Sequence, residues 1–299
     1  MLFPYLSPKL KTMEIYLVTT DHLESAIWFW DEADFKVGMN AVPLIAASAG
    51  VIILAFILMS NHVHFVILGT YDQVLKFITE YKRHYSHYMA CRHGVTRGLK
   101  RNAVDIRRVE IDGESMERAI AYVQMNPVVA NICLNPYDYP WGTGNSFFNV
   151  SSPKGVLVES LSARARYNLF HSRMDVPEGL LLGADGYILP ESYVGKKFVE
   201  GVFKSPKRMK YFLDSSSKAK RKLEAGESEV PAFKDQAVLP MMQELIRKLF
   251  GKGSIKELTT EETAELFRQM HYRLSSNINQ MARLSGYSYE QIVCLMESL

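Results

Sequence analysis

The chain has 299 residues, which is enough for one or two domains with hydrophobic cores. Its 47% hydrophobic and 22% charged residues are in the ordinary globular range, and a net charge of +3 permits a nucleic-acid partner without requiring one. Three dispersed cysteines form no CxxC pair, which excludes a zinc ribbon or thioredoxin-like site and favours a reducing, cytoplasmic setting. The first residues contain no apolar run of the kind found in signal peptides.

Residues 41–59 are uncharged and numerous enough to suggest a membrane span. Pro43, Ser48 and Gly50 interrupt this run, and its second half is rich in β-branched and aromatic residues, as buried strands are. We therefore predict a buried strand in the second half and no membrane partner.

Hydrophobic periodicity and turn signals predict seven elements in the first half of the chain. In chain order they are a strand over 12–18, a helical region over 22–49, strands over 51–58 and 62–68, a helix over 72–93, a strand over 106–111 and a helix from 115 to about 125. Ser115 is the expected N-cap of the last helix, and the Asn126-Pro127 pair is expected to end it.

This order of elements predicts a ferredoxin-like α+β fold, in which helices cover one face of an antiparallel sheet. We assign residues 1–150 to this domain. Residues 151–235 are expected to form a basic linker region, since residues 204–222 hold eight Lys or Arg against one Asp.

Residues 236–299 are predicted to form a mostly helical module. Within it, residues 277–284 and 289–298 flank a Gly-Tyr-Ser turn, which suggests a helix-turn-helix that binds DNA. A helical module for oligomerisation or stability fits the same apolar spacing.

His62 and His64 are two residues apart on a predicted strand, so both imidazoles point to the same face. Two neutral imidazoles side by side can hold a divalent metal ion. Two structural histidines with hydrogen-bond partners also fit this pair, and the residues alone leave both interpretations open.

Tyr122 and Asn126 are four residues apart on a predicted helix, so their side chains lie one turn apart on one face. The amide oxygen of Asn126 can be a third, neutral metal ligand, which would place the phenol of Tyr122 near the metal. A metal can polarise a phosphodiester that a phenol then attacks to form a covalent ester. A core tyrosine and a helix-ending asparagine fit the same spacing.

Two segments, 59–67 (MSNHVHFVI) and 121–132 (AYVQMNPVVANI), resemble the main motifs of the HUH single-tyrosine transposases, especially the branch associated with repetitive extragenic palindromes. The YDYPW segment at 137–141 resembles the one that follows the family's catalytic helix. Ser60 stands where the family usually has proline, and the tryptophan common before the fourth strand is missing near residues 98–100.

The resemblance covers about residues 10–150 and implies a transposase that acts as a DNA endonuclease and strand transferase. It implies that Tyr122 is the nucleophile and that His62, His64 and Asn126 hold Mg²⁺ or Mn²⁺. The implied substrate is single-stranded DNA beside a hairpin, which is nicked through a 5′-phosphotyrosine and later rejoined. The resemblance also implies a homodimer.

A basic stretch lies between the two motifs, since residues 81–108 contain eight Lys or Arg and one acid, Asp105. Aromatic side chains are interleaved with the cations, and single strands favour phosphate neutralisation combined with base stacking. We therefore expect DNA contacts here, although a solvated charged face has the same composition. The eight cations are Lys82, Arg83, Arg92, Arg97, Lys100, Arg101, Arg107 and Arg108.

Four other interpretations stay open. Tyr85, in the same basic helix, is a rival nucleophile. The chain could be a domesticated DNA-binding protein that has lost nicking, or a metal-dependent nuclease that uses water and does not need Tyr122. It could also be a non-enzymatic interaction protein built around its helical tail.

Overall fold

A four-stranded antiparallel sheet forms the centre of the first half of the chain. The computed structural model describes residues 13–20, 27–95, 103–111, 113–130, 132–149, 152–215, 233–274 and 276–297. The strands are β1 (Glu14–Thr20), β2 (Ile52–Leu58), β3 (Val63–Gly69) and β4 (Val104–Val109). They are arranged in the order β2-β3-β1-β4, and every neighbouring pair is antiparallel. This order and the helices that alternate with the strands confirm the predicted α+β, ferredoxin-like class.

Two well-capped helices connect these strands. Helix α1 (Glu32–Ala49) begins where the Asp31 side chain accepts a hydrogen bond from the Asp34 backbone, and it ends at Gly50 in the left-handed conformation. Helix α2 (Tyr71–His93) begins with a capping box. The expected helical region over 22–49 is shorter in its described part, because residues 27–30 precede the cap and are not helical.

The two faces of the sheet carry different helices. Helices α1 and α2 cover one face, where the Phe65 ring lies 5.0 Å from Phe77 and 5.4 Å from Tyr81. Helix α3 (Ser115–Val129) packs on the other face, where the His64 ring lies 5.4 Å from Tyr122. The expectation that the helices cover one face of the sheet therefore holds for α1 and α2 but not for α3. Every residue of β3 is buried, which requires cover on both faces.

Helix α3 differs from its predicted ends. Ser115 is its first residue, and the cap residue Glu114 makes no side-chain cap bond, so the expected Ser115 cap is wrong. The predicted stop at Asn126-Pro127 is also wrong, since the helix continues through Pro127 to Val129. Proline removes one amide donor from a helix. The buried position of Pro127 shows that packing of this last turn outweighs that loss.

The described part of residues 151–235 is folded and is not a linker. It contains the short hairpin of β5 (Val156–Leu157) and β6 (Leu181–Leu182), and the helices α4 (Ala163–Phe170), α5 (Lys196–Phe203) and α6 (Pro206–Asp214). Val199, Phe203 and Phe212 are buried in the same core as the sheet. The basic composition suggested a linker, but the apolar residues of these helices recur every three or four positions and the cations lie on their outer side. Residues 216–222 of the basic run lie outside the described residues.

Four helices with their own core form the C-terminal module, which we define as residues 235–297. They are α7 (Asp235–Phe250), α8 (Thr260–Leu274), α9 (Ile278–Ser285) and α10 (Tyr289–Glu297). Met242, Phe267 and Met281 are among its buried residues. Helix α9 ends at Gly286, whose φ of 79° is left-handed, and a three-residue turn leads into α10. The predicted pair of short helices around this turn is confirmed.

The apolar run over 41–59 is divided between the end of α1 and strand β2. Within the ranges that the structure describes, no helix combines the length and apolar character needed to cross a membrane.

Candidate active site

His62 and His64 lie at the start of β3, on the face that carries α3. Their ring centroids are 4.8 Å apart, and the residues are only 4% and 2% exposed. Residues two apart along a strand point the same way, which is how the local sequence brings the two imidazoles together.

Each imidazole is oriented through its Nδ1 atom. His62 Nδ1 lies 2.8 Å from the Asn61 amide oxygen, and His64 Nδ1 lies 3.0 Å from the Thr19 hydroxyl. An amide oxygen only accepts, so His62 donates from Nδ1, which in a neutral imidazole leaves the lone pair on Nε2. Side-chain oxygens that hold a histidine in this way are typical of the outer shell of metal sites. Sequence reasoning missed Thr19 and Asn61, although Asn61 is the immediate neighbour of His62.

Tyr122 lies across from His64, and Asn126 follows it one turn along α3. The rings of His64 and Tyr122 are nearly perpendicular, with an interplanar angle of 82°. Tyr122 is 36% exposed, so its phenol is accessible from the cleft. The Asn126 amide nitrogen donates to the Tyr122 carbonyl at 2.8 Å, which makes its oxygen the atom that would face a ligand.

The pKa of the Tyr122 phenol is raised above its ordinary value. Partial burial raises it, while the Asn126 side chain and the positive charge of Arg107 oppose that shift and Asp105 adds to it. The phenol is therefore protonated at neutral pH in this structure, and an attack on phosphorus requires the loss of that proton.

The donor set of His62, His64 and Asn126 fits a divalent cation chemically. Two imidazoles and an amide oxygen are common ligands of first-row divalent metals. Within the described ranges, no group of three or more His, Cys, Asp or Glu is placed to hold a metal ion. A cation at this site would therefore depend on Asn126 as a neutral third ligand.

Tyr85, the rival nucleophile, is fully buried in the core. Its hydroxyl donates to the Trp28 carbonyl at 2.8 Å, and burial raises its pKa well above the ordinary value. A phenol held in this way is not placed to attack a DNA strand.

The structure does not bring the eight predicted DNA-binding cations to one surface. Arg97, Lys100 and Arg101 lie outside the described residues. Lys82 is only 6% exposed, so it offers little surface to a strand. Arg92 is held by two carboxylates, with nitrogen–oxygen distances of 2.6 Å to Asp31 and 2.7 Å to Asp34. A count of charges along the sequence cannot show such partners.

The remaining cations lie on different sides of the sheet. On β4, Arg107 is paired in register with Leu17, two residues from the Asp105–Thr19 pair, so it lies on the face of His64 and Tyr122. Arg108 is its neighbour and therefore lies on the opposite face, while Arg83 is exposed on α2. Of the five members of the predicted set that the structure describes, Arg107 is the one placed on the side of the tyrosine.

One cleft of about 980 Å³ is lined by the predicted nucleophile, Tyr122, and by the three predicted metal ligands, His62, His64 and Asn126. On the sheet side it is lined by Thr19, Asn61, His62, His64, Tyr122 and Asn126. It is also lined by residues of the C-terminal module: Lys256, Asn279, Arg283, Tyr287, Ser288 and Gln291. Sequence reasoning missed this part of the lining, because no local pattern shows which way a distant module docks.

A buried ion pair within the module donates and accepts the hydrogen bonds that attach the module to the site. Arg283 donates to Asp235 through two nitrogens, at 2.8 and 2.9 Å, and Asp235 also accepts from the Ser60 hydroxyl at 2.9 Å. Arg283 further donates to the Ala130 carbonyl at 2.7 Å, just after the end of α3. The network therefore joins the turn before His62 to the end of the helix that carries Tyr122.

Comparisons with known proteins do not show the family of this chain. No family model matches the chain, and no curated protein matches it in sequence. A solved structure of a REP-associated tyrosine transposase bound to a REP hairpin is similar over 47% of this chain and 82% of that chain. Its sequence identity is 16% and its TM-score is 0.38. A likeness at this level does not establish a family or an activity for this chain, so a proposal of function has to stand on the cleft residues.

Proposed function

We propose that this protein nicks and rejoins single-stranded DNA through a covalent bond between Tyr122 and a 5′ phosphate. The observation that supports this most directly is the accessible phenol of Tyr122, whose ring lies 5.4 Å from that of His64 inside an open cleft. The second imidazole, that of His62, is 4.8 Å from the first. An accessible phenol beside two oriented imidazoles suits phosphoryl transfer better than a packing role.

His62, His64 and Asn126 are the residues that would hold a divalent cation, which we propose to be Mg²⁺ or Mn²⁺. Such a cation, when bound, neutralises charge on the non-bridging oxygens of the scissile phosphate. All three ligands are neutral, so they leave the full charge of the cation for the phosphate. Asn61 and Thr19 keep the imidazoles in the orientation that this role requires.

In the proposed step, the phenolic oxygen of Tyr122 attacks phosphorus, and the bond from phosphorus to the 3′ oxygen breaks. The phenol releases its proton to solvent, and the 3′ oxygen takes up a proton and leaves as a hydroxyl. A later 3′ hydroxyl attacks the phosphotyrosine and restores the phenol. The number of phosphoester bonds does not change, so no nucleoside triphosphate is required.

The test is a covalent adduct assay. Labelled single-stranded DNA that carries a hairpin is mixed with protein and Mg²⁺ or Mn²⁺ and then run on a denaturing gel. We expect a shifted band with the wild type and none with Tyr122→Phe or His64→Ala. Tyr137→Phe is the matched control, since Tyr137 is exposed and does not line the cleft; it should form the adduct as the wild type does.

Two outcomes would contradict the proposal. Cleavage that persists in Tyr122→Phe would indicate a nuclease that uses water. Binding to a range of hairpins without any adduct would indicate a DNA-binding protein that has lost nicking.

We also propose a homodimer, which sedimentation analysis of the same preparation would test.

A further inference from the structure

We infer that the C-terminal module contacts the DNA strand at the scissile phosphate and selects the bases beside it. This inference rests on the proposed function and extends it. It assigns the preference for particular DNA bases to a module that contains none of the proposed catalytic residues. The residues concerned are Lys256, Asn279 and Tyr287.

The placement of these residues is the first argument. They line the same cleft as Tyr122 and His64. A strand whose phosphate reached Tyr122 would therefore lie in a cleft that the module also lines.

Buried hydrogen bonds also hold the module against the site. The carboxylate of Asp235 and the guanidinium of Arg283 are 3% and 10% exposed, and together they bind Ser60 and the Ala130 carbonyl. Gln280 adds a hydrogen bond to Asp235 at 3.1 Å. The ion pair lies within the module and orients both side chains, and each of them makes one hydrogen bond to the site, to Ser60 and to the Ala130 carbonyl. Loss of either charge would leave the other buried without its partner. The module is therefore a wall of the cleft and not a loosely tethered domain.

The chemistry of the wall suits a single strand. Lys256 is exposed and can neutralise a phosphate, and Tyr287 offers an aromatic ring for stacking. The Tyr287 ring is itself supported by an edge contact with Phe267, at 5.5 Å between centroids. The Asn279 amide can both donate to and accept from the edge of a base.

The turn between α9 and α10 faces the cleft as well. Ser288 and Gln291 lie at the start of α10 and make reciprocal hydrogen bonds, at 2.8 and 3.2 Å, that cap this helix. In helix-turn-helix proteins, the first residues of the second helix contact base edges. Here those residues line the tyrosine cleft, so we assign them to the strand under attack and not to a separate duplex.

The experiment uses the full chain and two measurements on each variant. The variants are Lys256→Ala, Asn279→Ala and Tyr287→Leu, the last of which keeps an apolar contact with Phe267. The first measurement is affinity for a labelled single-stranded oligonucleotide with a hairpin, titrated over a range of salt concentrations. The second is adduct yield on oligonucleotides in which each base flanking the cleaved phosphate is varied.

We expect Tyr287→Leu to weaken binding about 10-fold, because base stacking on an aromatic ring has this order of effect. Lys256→Ala should lower the slope of log affinity against log salt by about 0.7, the value for one contact to a single strand. Asn279→Ala should reduce the preference between flanking bases about 10-fold. Gln243→Ala and Arg273→Ala are the controls, since they remove an amide and a cation from exposed positions of the module outside the cleft.

The two proposals can fail separately. If the wild type forms the adduct and none of the three variants changes affinity, salt dependence or base preference, the inference is overturned and the nicking function stands. If no adduct forms but the variants weaken binding while the controls do not, strand contact by the module is supported and the nicking function fails. Unchanged melting temperatures would show that each variant is folded.

Discussion

At the scale of single residues, two side-chain oxygens decide how the histidines are presented. Asn61 accepts from His62 Nδ1 at 2.8 Å, and Thr19 contacts His64 Nδ1 at 3.0 Å. These contacts select the ring nitrogen that faces the cleft, and removal of such partners typically weakens metal binding 10- to 100-fold, an order-of-magnitude figure. The proposed cation site therefore depends on residues that do not themselves bind the cation.

We expect Asn61→Ala to weaken Mn²⁺ binding by roughly 10- to 100-fold, because the His62 ring loses the partner that sets its tautomer. Calorimetric titration of the folded protein with Mn²⁺ measures this directly. Asn145→Ala is the matched control, since Asn145 is exposed and does not line the cleft. Equal affinities for the two variants would show that Asn61 has no part in the site.

Two adjacent arginines on β4 provide a second test. Arg107 lies on the face of Tyr122 and Arg108 on the opposite face, although both side chains are mainly exposed. We expect Arg107→Ala to reduce the salt slope of single-strand binding by about 0.7, and Arg108→Ala to leave it unchanged. Fluorescence anisotropy over a range of salt concentrations measures both. A larger effect from Arg108 would place the strand on the other face of the sheet.

At the scale of elements, the segment over 139–143 covers the edge of the sheet that β2 forms. Leu58 donates to the Trp141 carbonyl at 2.8 Å, and Thr143 donates to the Phe56 carbonyl at 3.0 Å. Unpaired strand edges invite aggregation, so this cover keeps the edge strand β2 from pairing with other chains. The same cover holds β2 beside β3, on which the histidines lie.

Gly142 is the point of closest approach in this segment. A Cβ atom there would lie 2.5 Å from the Phe56 carbonyl oxygen. We expect Gly142→Ala to lower the free energy of unfolding by about 1–3 kcal/mol, because the backbone must shift to make room. Chemical denaturation measures this value.

Gly201 is the control for that substitution. It lies in α5, and an added Cβ would meet nothing within 4 Å. We expect Gly201→Ala to be neutral or to stabilise the protein by up to about 1 kcal/mol, since alanine favours helix. Similar losses of stability in both variants would contradict the steric argument at Gly142.

Across the whole molecule, one buried ion pair of the C-terminal module supports the hydrogen bonds between the module and the catalytic side of the cleft. Burial alone would raise the pKa of Asp235, but the charge of Arg283 and the hydrogen bonds from Arg283, Gln280 and Ser60 outweigh it and lower the pKa. Because this pKa is lower in the folded protein than in the unfolded chain, ionised Asp235 stabilises the fold above about pH 4, the ordinary range of aspartate. The contribution disappears as the pH falls through the folded pKa.

We expect Asp235→Asn to destabilise the protein by roughly 3–5 kcal/mol at neutral pH, since it leaves the Arg283 charge buried without its partner. The difference from the wild type should shrink as the pH falls below about 4, where Asp235 itself becomes protonated. Denaturant unfolding at several pH values measures both effects. Asp214→Asn, which breaks only an exposed pair with Lys210, should change stability by less than about 1 kcal/mol. A pH-independent difference for Asp235→Asn would contradict this role of its charge.

Most of the correct predictions came from the periodicity of residues along single strands and helices. Alternation along a strand put His62 and His64 on one side, and helical spacing put Tyr122 and Asn126 on one face, because both patterns are set by backbone geometry within a few residues. The same periodicity located the four strands and the two helices around Gly286. It could not locate the end of α3, since packing around Pro127 outweighed the local stop signal.

The features that only the tertiary structure decided are contacts between residues far apart in the chain. Ser60 and Asp235 are separated by 175 positions, and Arg283 and Ala130 by 153, yet these contacts complete the cleft. The carboxylates that hold Arg92 are also distant in sequence, so its charge alone did not show that it was already paired. The sequence by itself determined which side chains could do chemistry, because that depends on residue type and local spacing. The packing of distant elements decided which of them meet, because it depends on burial and charge pairing over the whole chain.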